Sequence, residues 1–493
     1  MGDLFSGLDG LINNVSNFIW GGTWNDSQVL PLGFLAVVLL GTGLYYMIRL
    51  GGRPVLRFAP ALKELWAGRK SQGEAGDITP WQALSTALSG QVGTGNLAGV
   101  ATAISLGGPG AIFWMWITAL LGMACAFAES SLAVKYRETH PDGRIHGGPM
   151  FYIKNGLNKG RAGFGGWFGW LAMLFCIGTL ISAVATGGMI QANSITESVV
   201  QTGNELNFTI PTWGVGLALA ALVFLVIVGG IKSIGSVAGK VVPFMALFYV
   251  AVAFVVICIN IVHVPEAFGL IFSHAFGWHE AVGGAAGYGV MQAVRYGVAR
   301  GLFSNEAGQG SAPIAHAAAQ TKSPVAQGEI AMIGVFIDTI VICTMTALVI
   351  LVAEGSYPAE GGGVVSYAWQ STLNSSAITT AAFASAIPGG QFVITVALAL
   401  FAFTTIIGWS YYAQQAASYL FGDWVTNIIR YVWVVIVFVG CLVVDTVTLW
   451  LFGDIANASM AFPNLLAILL LSGVVATMAR EADEKVKHGE TII

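Results

Sequence analysis

The chain has 493 residues, of which 56% are hydrophobic and only 9% charged, with a formal net charge of −4. A soluble domain carries about 25% charged residues, and a larger core would not remove the need for a charged surface. The composition therefore excludes a soluble globular protein and reads as integral to a membrane. The five cysteines (Cys125, Cys176, Cys258, Cys343, Cys441) fall in apolar stretches without CxxC spacing and read as small packing residues. The seven histidines show no metal-ligand spacing, and no P-loop glycine motif is present, so transport driven directly by ATP is unsupported.

A crossing helix needs about 20 apolar residues. The first such stretch is 29–50; Arg49, Arg53, Arg57, Lys63, Arg69 and Lys70 accompany or follow it, while Asp3, Asp9 and Asp26 precede it without any lysine or arginine. Basic residues favour the cytoplasmic side, which puts the N-terminus outside. Met1–Ser6 lacks the basic region of a signal peptide. It fits a myristoylation pattern formally, against which an external N-terminus argues.

Asp77-Ile78-Thr79-Pro80 reads as a helix start, with proline tolerated in the first turn. The outward crossing that follows, 79–106, contains Gly90, Gly93, Gly95 and Gly99 within ten residues. Each glycine costs a helix about 1 kcal/mol against alanine. Backbone that leaves the helix at membrane depth must be covered by protein or line a wet cavity. Such a span is a candidate site for a small polar solute, with a close-packing glycine face as the other reading. Gly107-Gly108-Pro109-Gly110 turns the chain, and the spans 111–136, 167–200, 210–228 and 241–262 alternate in direction, with basic loops at Lys135–Arg161 and at Lys232 and Lys240. An amphipathic stretch, 265–280, leads to a second irregular span, 287–319, which carries Gly301, Gly308, Gly310 and Pro313. Spans 327–352, 391–420, 424–445 (with Asp445 at its outer end) and 460–478 complete the chain, with a long Gly/Ser-rich external loop before 391.

These features predict an all-α integral membrane protein of about 11 transmembrane helices. Setting the first aside, the irregular spans are the first and sixth of ten and point in opposite directions, the pattern of a 5+5 inverted-repeat transporter. The expected division is 1–78 (external N-terminus, extra helix and cytoplasmic linker), 79–263 (first repeat), 264–480 (second repeat) and 481–493 (cytoplasmic tail). A channel would need a repeated filter loop, and an intramembrane enzyme a Ser/His, HExxH or paired-Asp motif; the sequence shows neither, so no enzymatic role is expected.

Gly107-Gly108-Pro109-Gly110-Ala111-Ile112-Phe113-Trp114-Met115-Trp116-Ile117-Thr118-Ala119-Leu120-Leu121-Gly122 resembles the family motif of the alanine or glycine:cation symporters. The stretches from Gly93 to Ala101 and from Arg300 to Gly308 agree with it, and the resemblance extends over roughly residues 30–480. It implies sodium-coupled, sometimes proton-coupled, symport of alanine or glycine in the cell (inner) membrane, with a leucine-transporter-type fold and two broken helices; a small pocket would also fit serine. The implied partners are a small neutral amino acid, Na+ or H+ and the lipid bilayer, with no nucleic acid and no cofactor beyond the coupling ion. Gln309 departs from the family pattern, where leucine or methionine is expected.

An amino acid is a zwitterion. Half-helix N-termini suit its carboxylate, and Gly93, Thr94, Gly95 and Asn96 are expected there. Thr94 has the alternative of bonding back to its own helix. Gln191 is carried into the substrate site by the resemblance, helix–helix bonding being its other reading. Phe303, Ser304 and Asn305 are candidate contacts at the second break, and Trp409 limits side-chain size or simply packs. For sodium, the resemblance implies carbonyls of Ser89, Val92 and Phe401 with the hydroxyls of Thr404 and Thr405, Thr405 also facing the substrate. The threonines have a back-bonding alternative. Buried ionisable residues in a membrane are functional or paired: Glu129, Arg300, Glu306 and Asp338 are the candidates, with Arg300 and Glu306 expected as a pair, gating or structural, and Asp338 as a proton site.

Overall fold

The computed structural model describes residues 2–25, 27–30, 32–70, 73–140, 143–160, 166–277, 284–443 and 446–488. Asp26, Arg161, Glu280 and Asp445, used in reading the topology, lie outside the described residues. Helix α1 (Gly2–Gly21) and a small hairpin, β1 (Thr23–Trp24) with β2 (Ser27–Gln28), precede the crossing helix α2 (Phe34–Arg49). Two short helices, α3 (Arg53–Leu56) and α4 (Phe58–Ala67), form the linker. The first interrupted span is α5 (Pro80–Gln91), a 3-10 turn at Thr94–Asn96, and α6 (Ala98–Gly107). The expected start is built as a capping box: the Gln82 backbone N–H donates to the Thr79 hydroxyl at 3.2 Å, and Thr79 N–H to the Gln82 side-chain oxygen at 3.0 Å.

Next come α7 (Ala111–Lys135), a hairpin of β3 (Glu138–Thr139) and β4 (Ile145–His146), and the short α8 (Pro149–Tyr152). Helix α9 (Gly169–Ser182) runs through a π-helical stretch, Ala183–Met189, into α10 (Ile190–Glu205). Then follow α11 (Thr212–Ile227), α12 (Gly230–Ile259) and α13 (Val264–Phe276). The second interrupted span is α14 (Gly284–Asn305) and α15 (Ala312–Ala317). Helix α16 (Pro324–Val335) passes through a second π-helical stretch, Phe336–Cys343, into α17 (Thr344–Val352). A hairpin, β5 (Glu354–Ala359) with β6 (Gly363–Tyr367), and α18 (Ser376–Ala386) precede α19 (Gly390–Phe421), α20 (Val425–Leu442), α21 (Thr446–Leu470) and α22 (Ser472–Lys487).

The outer wall is apolar. Leu217, Leu222 and Leu225 on α11, Phe244, Leu247 and Phe254 on α12, and Tyr431 and Val435 on α20 are all exposed. A surface of this kind belongs against lipid rather than water. Inside it, α5 packs on α15 and α6 on α14, so the two interrupted helices run antiparallel with their breaks side by side. Helix α7 backs α14 and α16, and α19 backs α5, α10 and α12. Asp77, Arg144, His146, Lys232 and Arg430 line one cavity and so share one face, the basic face; Glu197, Glu205, Ser375 and Gln391 line a vestibule on the opposite face.

Several expected boundaries are corrected. The loop expected around Lys232 and Lys240 is helix, because α12 already begins at Gly230. The final span is α21 rather than 460–478; the chain turns at Leu471 and α22 is a separate amphipathic helix. The long loop before 391 folds as the β5–β6 hairpin and α18, whose Thr379 hydroxyl donates to the Leu97 carbonyl at 3.0 Å. Helix α18 has 11 residues, too few to stand out as a membrane span.

Candidate functional site

At the first break, side chains capture the amides that would have continued the helix. Gly93 N–H donates to the Asn96 Oδ1 at 2.9 Å, Thr94 N–H to the Gln191 Oε1 at 3.3 Å, and Asn96 N–H to the Gly93 carbonyl at 3.3 Å. The carbonyls of Ser89, Gly90 and Val92 thereby lose their usual i+4 donors. The hydroxyl of Thr405 lies 3.3 Å from the Val92 carbonyl and 3.0 Å from that of Phe401. Thr404 donates to the Phe401 carbonyl at 2.9 Å and faces the Met245 sulfur at 3.4 Å, and the Ser89 hydroxyl donates back to Thr86 at 2.7 Å. Gly93 is fixed by close approach, because a Cβ there would sit 2.6 Å from Thr405 Oγ1. This cluster of uncharged oxygens is the donor chemistry that a hard monovalent cation requires.

The second break works in the opposite direction along the membrane. Ala307 N–H donates to the Asn305 side chain at 3.0 Å and Gly308 N–H to Glu129 at 3.3 Å, which frees the carbonyls of Phe303 and Ser304. Glu306 sits in the left-handed region at φ 54°, a strained conformation for a residue with a side chain. Its carboxyl accepts from Ser311 at 2.5 Å and from the Trp409 indole at 3.1 Å. The expected pairing with Arg300 is thus not what holds Glu306; the Arg300 guanidinium lies 6.0 Å from the Phe303 ring centroid. Gln91 ties the two breaks together by donating to the Asn305 carbonyl at 2.8 Å.

Between the breaks lies a narrow cavity of ≈ 20 Å³ lined by Gly93, Gly95, Gln191, Phe303, Thr405 and Trp409 together with Gly90, Gln91, Thr186, Glu306, Gln309 and Asn457. Among the lining residues Glu306 alone is acidic and none is basic. Gln191 also donates to the Thr94 hydroxyl at 3.1 Å, and Thr94 stands at the floor of the opposite-face vestibule. Asn96 and Ser304 face away from this cavity toward Asp338: the Asn96 amide donates to it at 2.6 Å and the Ser304 hydroxyl at 2.7 Å. Asn305 donates to Thr339 at 3.1 Å. Glu129 is buried behind the second break, where Asn464 donates to it at 2.7 Å.

Thr186, Asn457 and the lining role of Gln309 escaped the sequence reading. Gln309 donates to Asn457 at 2.8 Å, and Asn457 also accepts from Ser182. Starting the last span at 460 hid Asn457, a polar residue at membrane depth that would have signalled the site. Thr186 lies in the π-helical stretch beside Gly187 and Gly188, a sequence with no periodicity signal of its own. Such π-turns cluster at functional sites.

Residues 12–492 match the model of the sodium:alanine symporter family. The sodium/alanine symporter AgcS of Methanococcus maripaludis is 40% identical over 474 residues, covering 96% of this chain and 97% of that protein. A putative sodium/proton-dependent alanine carrier of Bacillus subtilis, YrbD, is 36% identical over 460 residues, 92% of this chain and 90% of its own. Among solved structures, MhsT in complex with L-phenylalanine superposes with a TM-score of 0.57 at 13% identity, covering 81% of this chain and 91% of MhsT, which makes the fold that of a leucine-transporter-type carrier. With its two broken helices meeting at a central cavity and a family match over nearly its whole length, the chain belongs to the sodium:alanine symporter family of membrane transporters.

Proposed function

We propose that the protein carries a small neutral amino acid (alanine, glycine or serine) into the cell together with sodium, by alternating access. The observation that carries this reading is a cavity at which both breaks converge, lined by Gly93 and Gly95 of the first and by Phe303 and Glu306 of the second. The break after α5 turns the start of the next half-helix toward it, the arrangement that suits a carboxylate. The freed carbonyls of Phe303 and Ser304, with the carboxyl of Glu306, supply acceptors for an ammonium. Trp409 and Phe303 bound the space left for a side chain, which favours small substrates. The oxygens of Ser89, Val92, Phe401 and Thr405 supply the ion site, with Thr404 beside it. The names of the relatives support both alanine and a coupling cation.

The antiparallel breaks support a division into two repeats at 79–263 and 264–480. With the basic face toward the cytoplasm, the N-terminus lies outside, the C-terminus inside, and the vestibule ending at Thr94 opens outward. Proton coupling is the second reading. It is favoured by Asp338, buried where Asn96 of the first break and Ser304 of the second both donate to it. Uptake of labelled alanine into proteoliposomes decides between them. Accumulation driven by an inward sodium gradient is expected, and uptake that persists unchanged without sodium but follows a proton gradient overturns the sodium assignment.

A further inference from the structure

The basic face carries a side-chain cluster that amino-acid transport leaves unused. His140 follows β3 and His146 lies in β4; their rings stack with centroids 4.1 Å apart and planes 29° apart. Asp423 reaches them from the turn between α19 and α20. Its Oδ2 lies 2.9 Å from His140 Nδ1 and its Oδ1 3.7 Å from His146 Nε2. One donor atom from each of the three residues lies within 4.8 Å of the other two. In sequence the two histidines are separated by five residues and the aspartate is hundreds away, which is why spacing gave no sign of it.

Donor atoms around a tetrahedral zinc ion bound at about 2.0–2.1 Å stand roughly 3.3 Å apart. The separations of 2.9 and 3.7 Å, each to a different oxygen of the Asp423 carboxylate, lie on either side of that value, and small side-chain adjustments bring all three donors onto one ion. We propose that His140, His146 and Asp423 form a binding site for a Zn²⁺-type transition-metal ion, with a remaining coordination position left to water.

The surroundings favour this class of ion. Two imidazole nitrogens select zinc and its neighbours over calcium or magnesium, which take oxygen ligands. Arg144 and Arg430 line the same cavity as His146, so an ion there must be held by ligand bonds strong enough to outweigh their charge, which nitrogen ligands give zinc. Ser418 donates a hydrogen bond to Asp423, orienting the carboxylate as an outer partner does at a metal site. His146 is buried yet borders the cavity, which gives the ion a path. Bound metal would tie the β3–β4 hairpin to the α19–α20 turn.

The test uses the full chain, purified without a histidine tag and stripped with chelator. Titration with Zn²⁺ by calorimetry should show one equivalent binding at micromolar concentration or tighter. His146→Ala and Asp423→Asn should each weaken it at least a hundredfold. Co²⁺ should give the visible absorption of a low-coordinate N/O site in the parent protein and lose it in the variants. If the His146 variant fails to fold, His140→Gln, at a side chain one-third exposed, carries the same test. Absence of micromolar binding, or binding and Co²⁺ spectra unchanged in the variants, overturns the proposal and leaves the cluster as an Asp–His ion pair.

Discussion

Thr405 shows how much one side chain does at this site. Its hydroxyl bridges the end of α5 and the middle of α19, at 3.3 Å from the Val92 carbonyl and 3.0 Å from the Phe401 carbonyl. Valine has the same shape and lacks the oxygen. Thr405→Val is therefore expected to raise the sodium concentration for half-maximal uptake about tenfold, the factor that a loss of ~1.4 kcal/mol gives; uptake assayed across a sodium series reads it, and an unchanged sodium requirement removes Thr405 from the ion site. Gln309, where the sequence reading expects leucine or methionine, lies in the cavity wall, bonded to Asn457 at 2.8 Å. The two amides make that wall polar. Replacing the first by an apolar residue, Gln309→Leu, should lower serine uptake relative to alanine by about tenfold, because an unpaired hydroxyl in an apolar wall costs on the order of 1–3 kcal/mol. Competition assays measure that ratio.

At the scale of elements, the breaks are maintained by side chains that substitute for helix partners. Asn96 occupies the Gly93 amide, Gln191 that of Thr94, Asn305 that of Ala307 and Glu129 that of Gly308. Glycine lowers the cost of leaving the helix, but these caps decide where it is left. The π-helical stretch Ala183–Met189 serves the site by letting Trp409 lie against backbone: a Cβ on Gly187 would stand 2.5 Å from the Trp409 ring. Gly187→Ala must displace the indole and with it the 3.1 Å bond to Glu306. Uptake should fall at least tenfold while the amount of protein in the membrane is unchanged. Near-normal uptake would show that the Trp409–Glu306 contact is dispensable.

Over the whole molecule, an ion network on the basic face joins the linker to distant helices. Arg53 contacts Glu329 of α16 at 2.6 Å and Asp483 of α22 at 2.5 Å, and Arg57 contacts Glu329 at 3.1 Å and Glu64 of α4 at 3.5 Å. Burial and then the nearby charge of Glu329 raise the Glu64 carboxyl from its ordinary 4.5 to about 8, against the opposing pull of Arg57. The folded protein thus holds this proton more tightly than the unfolded chain does. The stability it contributes is complete below pH 4.5 and lost as pH rises toward 8. The melting temperature in detergent should fall between pH 6 and pH 9, and Glu64→Gln, which keeps the neutral form at every pH, should flatten that fall. An identical slope in the variant would assign the pH dependence to other groups.

Membrane residence, the crossing spans and the pairing of the two irregular helices were legible in the chain itself, because lipid demands long apolar runs and penalises every glycine within them. Gly93, Gly308 and Gly310 mark the breaks in the sequence. The ends of the spans were less legible: Lys232 and Lys240 lie inside α12, where their charges suggested a loop, and Asn457 lay hidden before a misplaced last span. Local composition does not report how far a helix extends beyond its apolar run. Which polar groups meet was decided by the tertiary structure alone. Glu306 bonds Trp409 across 103 residues, Asn96 bonds Asp338 across 242, and His146 faces Asp423 from the far side of the chain. No sequence period encodes such contacts; they arise when packing brings α5, α14, α16 and α19 to one centre and leaves each buried polar atom in need of a partner.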